Sequence, residues 1–184
     1  MRLVDDARQK MKKYLCGVLG TDWPMEIIVD TREQAPFSFL GYPDVQTVQR
    51  SLWVGDYSLV GLELEISCER KSLEDLVGCL TKGRERFEKE LMRSTYLRSF
   101  AVVVEQEAGW VQEGLYRSRI DPKAAWASIL AFSARYKIPF WFCRDRAEAE
   151  KTTYDLLRHY LNRRLDTYKK LALVQSPGYK GENL

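Results

Sequence analysis

The feature that most constrains the fold is the apolar run SFAVVV at residues 99–104, which has charged residues close by on both sides. A strand with no charged position is typically buried on both of its faces, as in a sheet that helices cover from both sides. A strongly charged helical pattern precedes the run, and a second helical pattern begins after it at Asp121 and Pro122. The sequence therefore predicts an α/β domain with a mixed central β-sheet flanked by α-helices.

Strand patterns dominate the segment before this run. The stretch MEIIVD at residues 25–30 predicts a short apolar strand that ends in an aspartate, and residues 45–60 alternate like one strand or two. Gly61 marks a turn, and residues 62–70 alternate between apolar and polar side chains. We therefore expect a hairpin whose second strand ends at Lys71.

Helices dominate the rest of the chain. Ser72 is a suitable N-cap for a helix that runs to about Leu80, and a second, charged helix follows it. The stretch PFWFC at residues 139–143 predicts a short buried strand, and residues 145–171 predict a long helix. Most of the tryptophans are expected in the core, and Trp110 is the best candidate for an exposed ring that stacks on bases.

The length of 184 residues fits one domain that can bury a substantial core without disulfides. We expect this domain at residues 25–171, preceded by an amphipathic helix at 1–24 and followed by a flexible tail at 172–184. A hydrophobic fraction of 45% and a charged fraction of 30% are typical of a soluble globular protein.

Several functional classes conflict with the composition. Four widely spaced cysteines and a single histidine argue against a zinc site, and buried reduced thiols are the simpler account of the cysteines. The first twenty residues are charged throughout, unlike a signal peptide, and no run approaches the ~20 apolar residues that span a membrane. We therefore expect an intracellular protein, in the cytoplasm, nucleoid or nucleus, without a membrane partner. The net charge of +3 is too small to identify any other partner.

Candidate catalytic residues lie at the ends of consecutive strands. Asp30 ends the first strand, Asp56 begins a later one, and Glu69 and Lys71 lie two residues apart and so share a face of the next. Carboxylates on neighbouring strands are ligands that Mg²⁺ or Mn²⁺ prefers. A lysine beside them can orient or help deprotonate a water and can neutralise charge on an attacked phosphate.

The competing interpretation is that Glu69 and Lys71 form the solvated end of an ordinary strand. A glutamate and a lysine two residues apart occur often by chance, and the pair alone would favour this interpretation. The ordered set of Asp30, Asp56, Glu69 and Lys71 favours a metal-dependent centre for phosphodiester hydrolysis instead.

The motifs VDTRE, GDY and CERKSLEDL resemble the nuclease domain of the XPF family of structure-selective endonucleases, over roughly residues 25–165. That family carries the pattern G-D-x(n)-E-R-K-x-x-x-D, which is matched here by Gly55, Asp56, Glu69, Arg70, Lys71 and Asp75. The resemblance implies a restriction-endonuclease-like core and Mg²⁺- or Mn²⁺-dependent cleavage of DNA. The implied substrates are branched or junction structures (flap, fork or Holliday junction) in DNA repair or recombination.

The resemblance also implies roles for single residues. Asp56 and Glu69 would hold the metal, with the Arg70 main-chain carbonyl as a further ligand, and Asp30 would bind it directly or through water. Lys71 would act on water and phosphate. The residues expected to support the site are Arg32, Glu33, Arg70, Asp75 and Arg84. The basic residues expected to contact DNA, in or just after the loop that contains Trp110, are Arg117, Arg119 and Lys123.

Members of the family usually continue into a helix-hairpin-helix module, and this sequence shows no signature of one. We expect another module, a partner, the N-terminal helix or a longer parent protein to supply that DNA contact. The family also commonly dimerises through the nuclease domain, so a homodimer or heterodimer is expected.

Two alternative functions stay open. The first is a catalytically silent DNA-binding or scaffold subunit that pairs with an active nuclease. Such a subunit would be expected to lack an acid or the lysine of the motif, and here all are present. The second is a ribonuclease or a sequence-specific nuclease on the same core.

Overall fold

The computed structural model describes residues 24–174, with side chains through residue 167. Its strands are β1 (Met25–Asp30), β2 (Val45–Arg50), β3 (Tyr57–Leu59), β4 (Ile66–Lys71), β5 (Ser99–Val104) and β6 (Phe140–Phe142). Its helices are α1 (Leu73–Leu80), α2 (Arg84–Ser94), α3 (Ala108–Glu113), α4 (Pro122–Tyr136) and α5 (Arg146–Val174). The helix predicted at residues 1–24 and the tail predicted at 172–184 lie outside the described residues, except that α5 extends to Val174.

The strands form one mixed sheet in the order β2-β1-β3-β4-β5-β6. Strand β3 is antiparallel to both of its neighbours, β1 and β4, and the remaining pairs are parallel. Parallel strands need a crossover, and α1 and α2 supply it between β4 and β5. The predicted α/β class with a mixed central sheet is confirmed.

Helices cover the two faces of the sheet, and the central strand β5 shows why. Its residue Val103 packs in the cluster that contains α5, whereas Val102 and Val104 pack in the cluster that contains α1, α2 and α4. Successive side chains of a strand point to opposite faces, so an uninterrupted apolar run contributes side chains to the cores on both faces of the sheet. The run SFAVVV therefore lies where its composition predicts.

Capping residues set the helix boundaries as the sequence predicts. The side chain of Ser72 accepts a hydrogen bond from the Asp75 N–H at the start of α1. The side chain of Asp121 accepts one from the Ala124 N–H at the start of α4, where Pro122 is the first helical residue. Both contacts satisfy backbone donors that a helix end leaves without an intrahelical partner.

The structure decides between the two predictions for residues 45–60 and corrects two other strand predictions. Residues 45–60 contain two strands, and β1 lies between them in the sheet. The predicted strand at 62–70 begins only at Ile66, because the N–H groups of Glu65 and Ile66 both donate to the Leu62 carbonyl and coil the preceding residues into a turn. Strand β6 is present but not buried, since it lies at the sheet edge and Trp141 is 47% exposed.

The buried thiols predicted from composition are found at the cysteines of the described residues. Cys68, Cys79 and Cys143 are free and buried. No helix among the described residues 24–174 is long and apolar enough to cross a membrane.

Gly55 makes the turn that leads into β3 and places Asp56. Its φ is +82°, a conformation that L side chains rarely adopt. A Cβ added at this position would lie 2.1 Å from Ser67 Oγ and 3.1 Å from the Cys68 carbonyl oxygen. The Ser67 side chain and the Cys68 carbonyl of β4 thus approach Gly55 so closely that no side chain fits.

We expect Gly55→Ala to lower the free energy of unfolding by about 2 kcal/mol or more, since it adds a steric clash to a left-handed backbone. Gly78→Ala is the matched control, because Gly78 lies in α1 and an added Cβ would meet no atom within 4 Å. Alanine in a helix should instead stabilise the protein by up to about 1 kcal/mol. Urea denaturation measures both changes, and equal midpoints for the two variants would contradict this account of Gly55.

Candidate active site

Strand register brings three acidic residues together on one face of the sheet. Val29 pairs with Tyr57 across β1 and β3, and Tyr57 pairs with Cys68 across β3 and β4. One residue further along each pairing, Asp30 lies beside Asp56, and Asp56 lies beside Glu69. Backbone hydrogen bonds hold this row, from the Asp30 N–H to the Asp56 carbonyl at 2.8 Å and from the Asp56 N–H to the Cys68 carbonyl at 2.8 Å.

The side chain of Asp30 is fully engaged by its neighbours. Its Oδ1 accepts hydrogen bonds from the Arg32 N–H at 2.8 Å and from Arg32 Nε at 2.7 Å. Its Oδ2 accepts from Arg32 Nη2 at 3.0 Å and from the Leu52 N–H at 2.6 Å. Burial alone would raise the pKa of Asp30, but these bonds outweigh it and hold the pKa below its usual value. The Asp30 carboxylate therefore fixes the backbone at Leu52.

Asp56 and Glu69 are the carboxylates that burial perturbs most. Burial raises the pKa of Asp56 to about 7, and the negative charge of Glu33 adds to the effect. Burial and the charge of Asp56 raise the pKa of Glu69 well above its usual value. Among the described residues, Asp56 receives one protein hydrogen bond, from the Arg70 N–H to Oδ2 at 2.8 Å. A half-buried acid with one hydrogen bond, next to a buried acid whose ion-pair partner is a single lysine, favours the approach of a cation.

These acids suit a divalent cation that brings its own waters. Within residues 24–167, no three side chains of His, Cys, Asp or Glu converge closely enough to enclose a metal ion. Mg²⁺ does not require such a cage, because it commonly binds one or two carboxylates together with waters and substrate phosphates. Asp56 and Glu69 line one solvent-open cleft and provide such a pair of oxygen donors. The donor set therefore fits Mg²⁺ or Mn²⁺.

Lys71 forms an ion pair with Glu69 on the same face of β4. Its Nζ also lies 5.5 Å from the centroid of the Phe87 ring. Burial disfavours the charged lysine, but the carboxylates of Glu69 and Glu90 outweigh burial and raise the pKa of Lys71. The side chain is therefore a permanent cation at neutral pH, placed in the cleft beside the two acids.

Arg70, between these two residues in sequence, joins a second network. Its Nε and Nη2 donate to the Glu33 carboxylate at 3.1 Å each, and its Nη1 donates to Glu105 Oε2 at 3.0 Å. Arg146, the first residue of α5, donates to the other oxygen of Glu105 at 2.5 Å and also to the carbonyls of Ala35 and Pro36. Burial disfavours the Arg70 charge, but Glu33 and Glu105 outweigh it and raise its pKa. The network connects β4 with the ends of β1, β5 and α5.

Of the other predicted site residues, Asp75 lies in the cleft and Arg84 lies outside it. Asp75 lines the cleft and bonds to Ser72 at the start of α1. Arg84 lies apart from the acidic row, where Nη1 donates to Ser128 Oγ at 3.2 Å and the guanidinium stacks over Phe132 at 4.7 Å. Arg84 therefore braces α2 against α4.

The predicted DNA-contacting residues Arg117, Arg119 and Lys123 are all exposed. The N–H of Arg117 donates to Glu74 Oε1 at 3.2 Å, and Glu74 lines the cleft. This hydrogen bond holds the basic loop next to the helix that borders the acidic row.

Further charged residues of the site were not predicted from the sequence. Arg86, Glu90 and Arg93 line the cleft from α2, where their spacing of four and three residues places them on one helical face. This spacing could have been recognised in the sequence. Glu105 directly follows the apolar run of β5, so its position at the end of a central strand could also have been recognised.

Known proteins resemble this chain in sequence and in fold. Residues 29–156 match the ERCC4 domain. XPF from Aeropyrum pernix superposes with a TM-score of 0.61 at 24% identity, over 81% of this chain and 71% of that one. The same protein in complex with DNA superposes with a TM-score of 0.59 at 23% identity, over 76% of this chain and 66% of that one. This chain therefore spans just under two thirds of the protein in the DNA complex. A search of curated proteins gave no match.

The two structures establish the shared fold, and the match to the ERCC4 domain extends over well more than half of the chain. The resemblance to XPF nucleases that the motifs suggested is confirmed. The chain belongs to the ERCC4 domain family, which includes the XPF-type nucleases.

Proposed function

We propose that this protein is a Mg²⁺- or Mn²⁺-dependent endonuclease that cleaves DNA at branched or junction structures such as flaps, forks or Holliday junctions. The observation that carries the proposal is the placement of Asp56, Glu69 and Lys71 in one solvent-open cleft. A half-buried and a buried carboxylate beside a fixed ammonium group are components that suit phosphodiester hydrolysis without a histidine.

Asp56 and Glu69 would hold the cation, and the Arg70 main-chain carbonyl would be a further ligand. A divalent cation at this position supplies Lewis-acid stabilisation of the charge that develops on the attacked phosphate. Asp30 was predicted as another ligand, but its four hydrogen bonds to Arg32 and Leu52 favour a positioning role.

Lys71 would contact the phosphate as a cation. Its raised pKa keeps the amine protonated at neutral pH, so donation of a hydrogen bond to a phosphate oxygen suits it better than removal of a proton from water. Its ion pair with Glu69 and its contact with Phe87 hold the Nζ in the cleft before a substrate arrives. Such preorganisation avoids a reorganisation cost during the reaction.

The DNA would approach from the side of the basic loop. Arg117, Arg119 and Lys123 are exposed there, and their charges suit phosphate contacts that position a duplex without reading its sequence. Family membership supports DNA as the substrate class. A DNA substrate implies action in the compartment that holds DNA, in repair or recombination, and pairing with a second nuclease subunit belongs to the same proposal.

A Lys71→Met variant should cleave about 10²- to 10³-fold more slowly, since it loses one preorganised cation at the reacting phosphate. The matched control is Lys89→Met, which removes an exposed lysine that pairs with Glu85 on the outer face of α2. Cleavage rates of a labelled fork with Mn²⁺ measure the difference. Similar rates for both variants would remove Lys71 from the mechanism. A wild-type protein that binds the fork but never cuts it would support the silent-subunit alternative.

An Asp56→Asn variant should bind Mn²⁺ about 100-fold more weakly or worse, because the neutral amide replaces an anionic ligand. Asp155→Asn is the control, since Asp155 pairs with Lys151 on the surface of α5. Isothermal titration calorimetry with Mn²⁺ in the absence of DNA gives the affinities independently of cleavage. Unchanged Mn²⁺ affinity in folded Asp56→Asn protein would place the metal elsewhere.

Branched DNA should be the preferred substrate. We expect labelled flap, fork and Holliday-junction DNA to be cut faster than plain duplex of the same sequence, and RNA to be cut poorly, with Mg²⁺ and with Mn²⁺. Initial rates on this panel test the selectivity. Cleavage of RNA or unbranched duplex at the rate of the best branched substrate would point to the ribonuclease or sequence-specific alternatives.

A further inference from the structure

Two exposed aromatic side chains lie against each other next to the catalytic cleft. Trp53 is 49% exposed and Tyr96 is 78% exposed. Their ring centroids are 5.9 Å apart, with an angle of 58° between the ring planes. Exposed apolar surface with a polar rim commonly marks a binding site, and large rings in contact on the surface form such a patch here.

The aromatic pair is continuous with the site of the proposed chemistry. Trp53 lines the same cleft as Asp56, Glu69 and Lys71. It also precedes Asp56 by only three residues, on the segment that enters β3. A ligand on the Trp53 ring would therefore lie next to a phosphate bound at the two carboxylates.

The backbone around Trp53 is held firmly. The Leu52 N–H donates to Asp30 Oδ2 at 2.6 Å, and the Leu52 carbonyl accepts from Arg32 Nη2 at 2.8 Å. On the other side, Gly55 packs against β4 with no room for a side chain. The indole is thus presented from a fixed backbone, which lowers the entropic cost of binding a ligand to it.

Two exposed arginines also line the same part of the cleft, opposite its acidic row. Arg86 and Arg93 project into it from one face of α2 and are exposed. Within residues 24–167, no ion pair engages either of these guanidinium groups, although Glu90 lies between them. Aromatic rings next to such cations are the components of sites for single-stranded nucleic acid, where bases stack and phosphates are neutralised.

We propose that Trp53 and Tyr96, with Arg86 and Arg93, form a subsite for one unpaired nucleotide next to the scissile phosphate. The unpaired base stacks on the Trp53 ring, with Tyr96 buttressing it, and the arginines contact the flanking phosphates. Bases within a duplex are stacked on each other and cannot offer a free face, so the subsite selects DNA with an unpaired nucleotide at the cut. The inference rests on the proposed function and specifies the feature of a branch that is recognised.

The test is a binding experiment on the full chain in EDTA, where no cleavage occurs. Fluorescence anisotropy compares a fluorescein-labelled fork that has unpaired thymidine arms with a blunt duplex of the same length. Trp53→Ala should weaken fork binding about 10-fold, the loss expected for one base–aromatic stacking contact, and leave duplex binding unchanged. Trp53→Phe should retain most of the fork affinity. Trp141→Ala is the control, since Trp141 is 47% exposed on the distant strand β6.

A second arm of the experiment separates stacking from a general structural effect. Single thymidines in the unpaired arm are replaced in turn by abasic nucleotides. Wild-type protein should lose affinity at one position near the junction, and Trp53→Ala should be insensitive at that position. An equal loss of fork and duplex affinity, or no loss in Trp53→Ala, would overturn the subsite. The second outcome would suit a patch that contacts another protein.

Wild-type cleavage of the fork with Mn²⁺ reports the proposed function separately. If wild-type protein binds and cuts the fork while Trp53→Ala keeps full affinity, only the subsite is wrong. If wild-type protein binds neither DNA, the proposed function fails and the subsite fails with it.

Discussion

The geometry of the site depends on one buried cation, Arg70. Its guanidinium is held between Glu33, which follows β1, and Glu105, which follows β5, and its backbone N–H donates to Asp56. One residue thus sets the distances among the ends of three other strands. Both carboxylates are largely buried; Arg70 is the ion-pair partner of Glu33 and shares Glu105 with Arg146, so its loss would leave a buried charge at Glu33 uncompensated. The burial of Arg70 is tolerated because its charge is matched on both sides.

Successive side chains of β4 point to opposite faces of the sheet, so Arg70 has different partners from Glu69 and Lys71. Ile66 and Cys68 pack in the core beneath α5, and Arg70 shares their side of the strand. Glu69 and Lys71 point to the opposite face, where Phe87 of α2 lies against the lysine. A single continuous strand therefore serves a structural network on one face and a polar cleft on the other. This division requires no special loop, only the period of two that every strand has.

The sequence contained enough information to predict the fold class and the row of acids. The apolar run of β5, the cap at Ser72 and the spacing of Glu69 and Lys71 are local patterns, and local periodicity fixes which face a side chain occupies. The hydrogen-bond and ion-pair partners of these residues could not be predicted from local patterns. Arg146 reaches Glu105 across 41 residues, and Leu52 meets Asp30 across 22, so these contacts depend on tertiary packing. Most of the tryptophans were expected in the core because large apolar rings favour burial, but Trp53, Trp110 and Trp141 are between 41% and 49% exposed.

The two faces of β4 also differ in what evolution can change. Lys71 and Glu69 line the cleft, and under the proposed function the loss of Lys71 would remove chemistry while most of the domain keeps its packing. Arg70 has no such freedom, because it pairs with two largely buried acids that follow the ends of β1 and β5. A lineage that gives up catalysis and keeps this scaffold should therefore retain the arginine at the centre of the motif long after the flanking glutamate and lysine have drifted. An arginine at the centre of the motif would then indicate a shared fold. The glutamate and lysine on either side of it would indicate whether the protein still cleaves DNA.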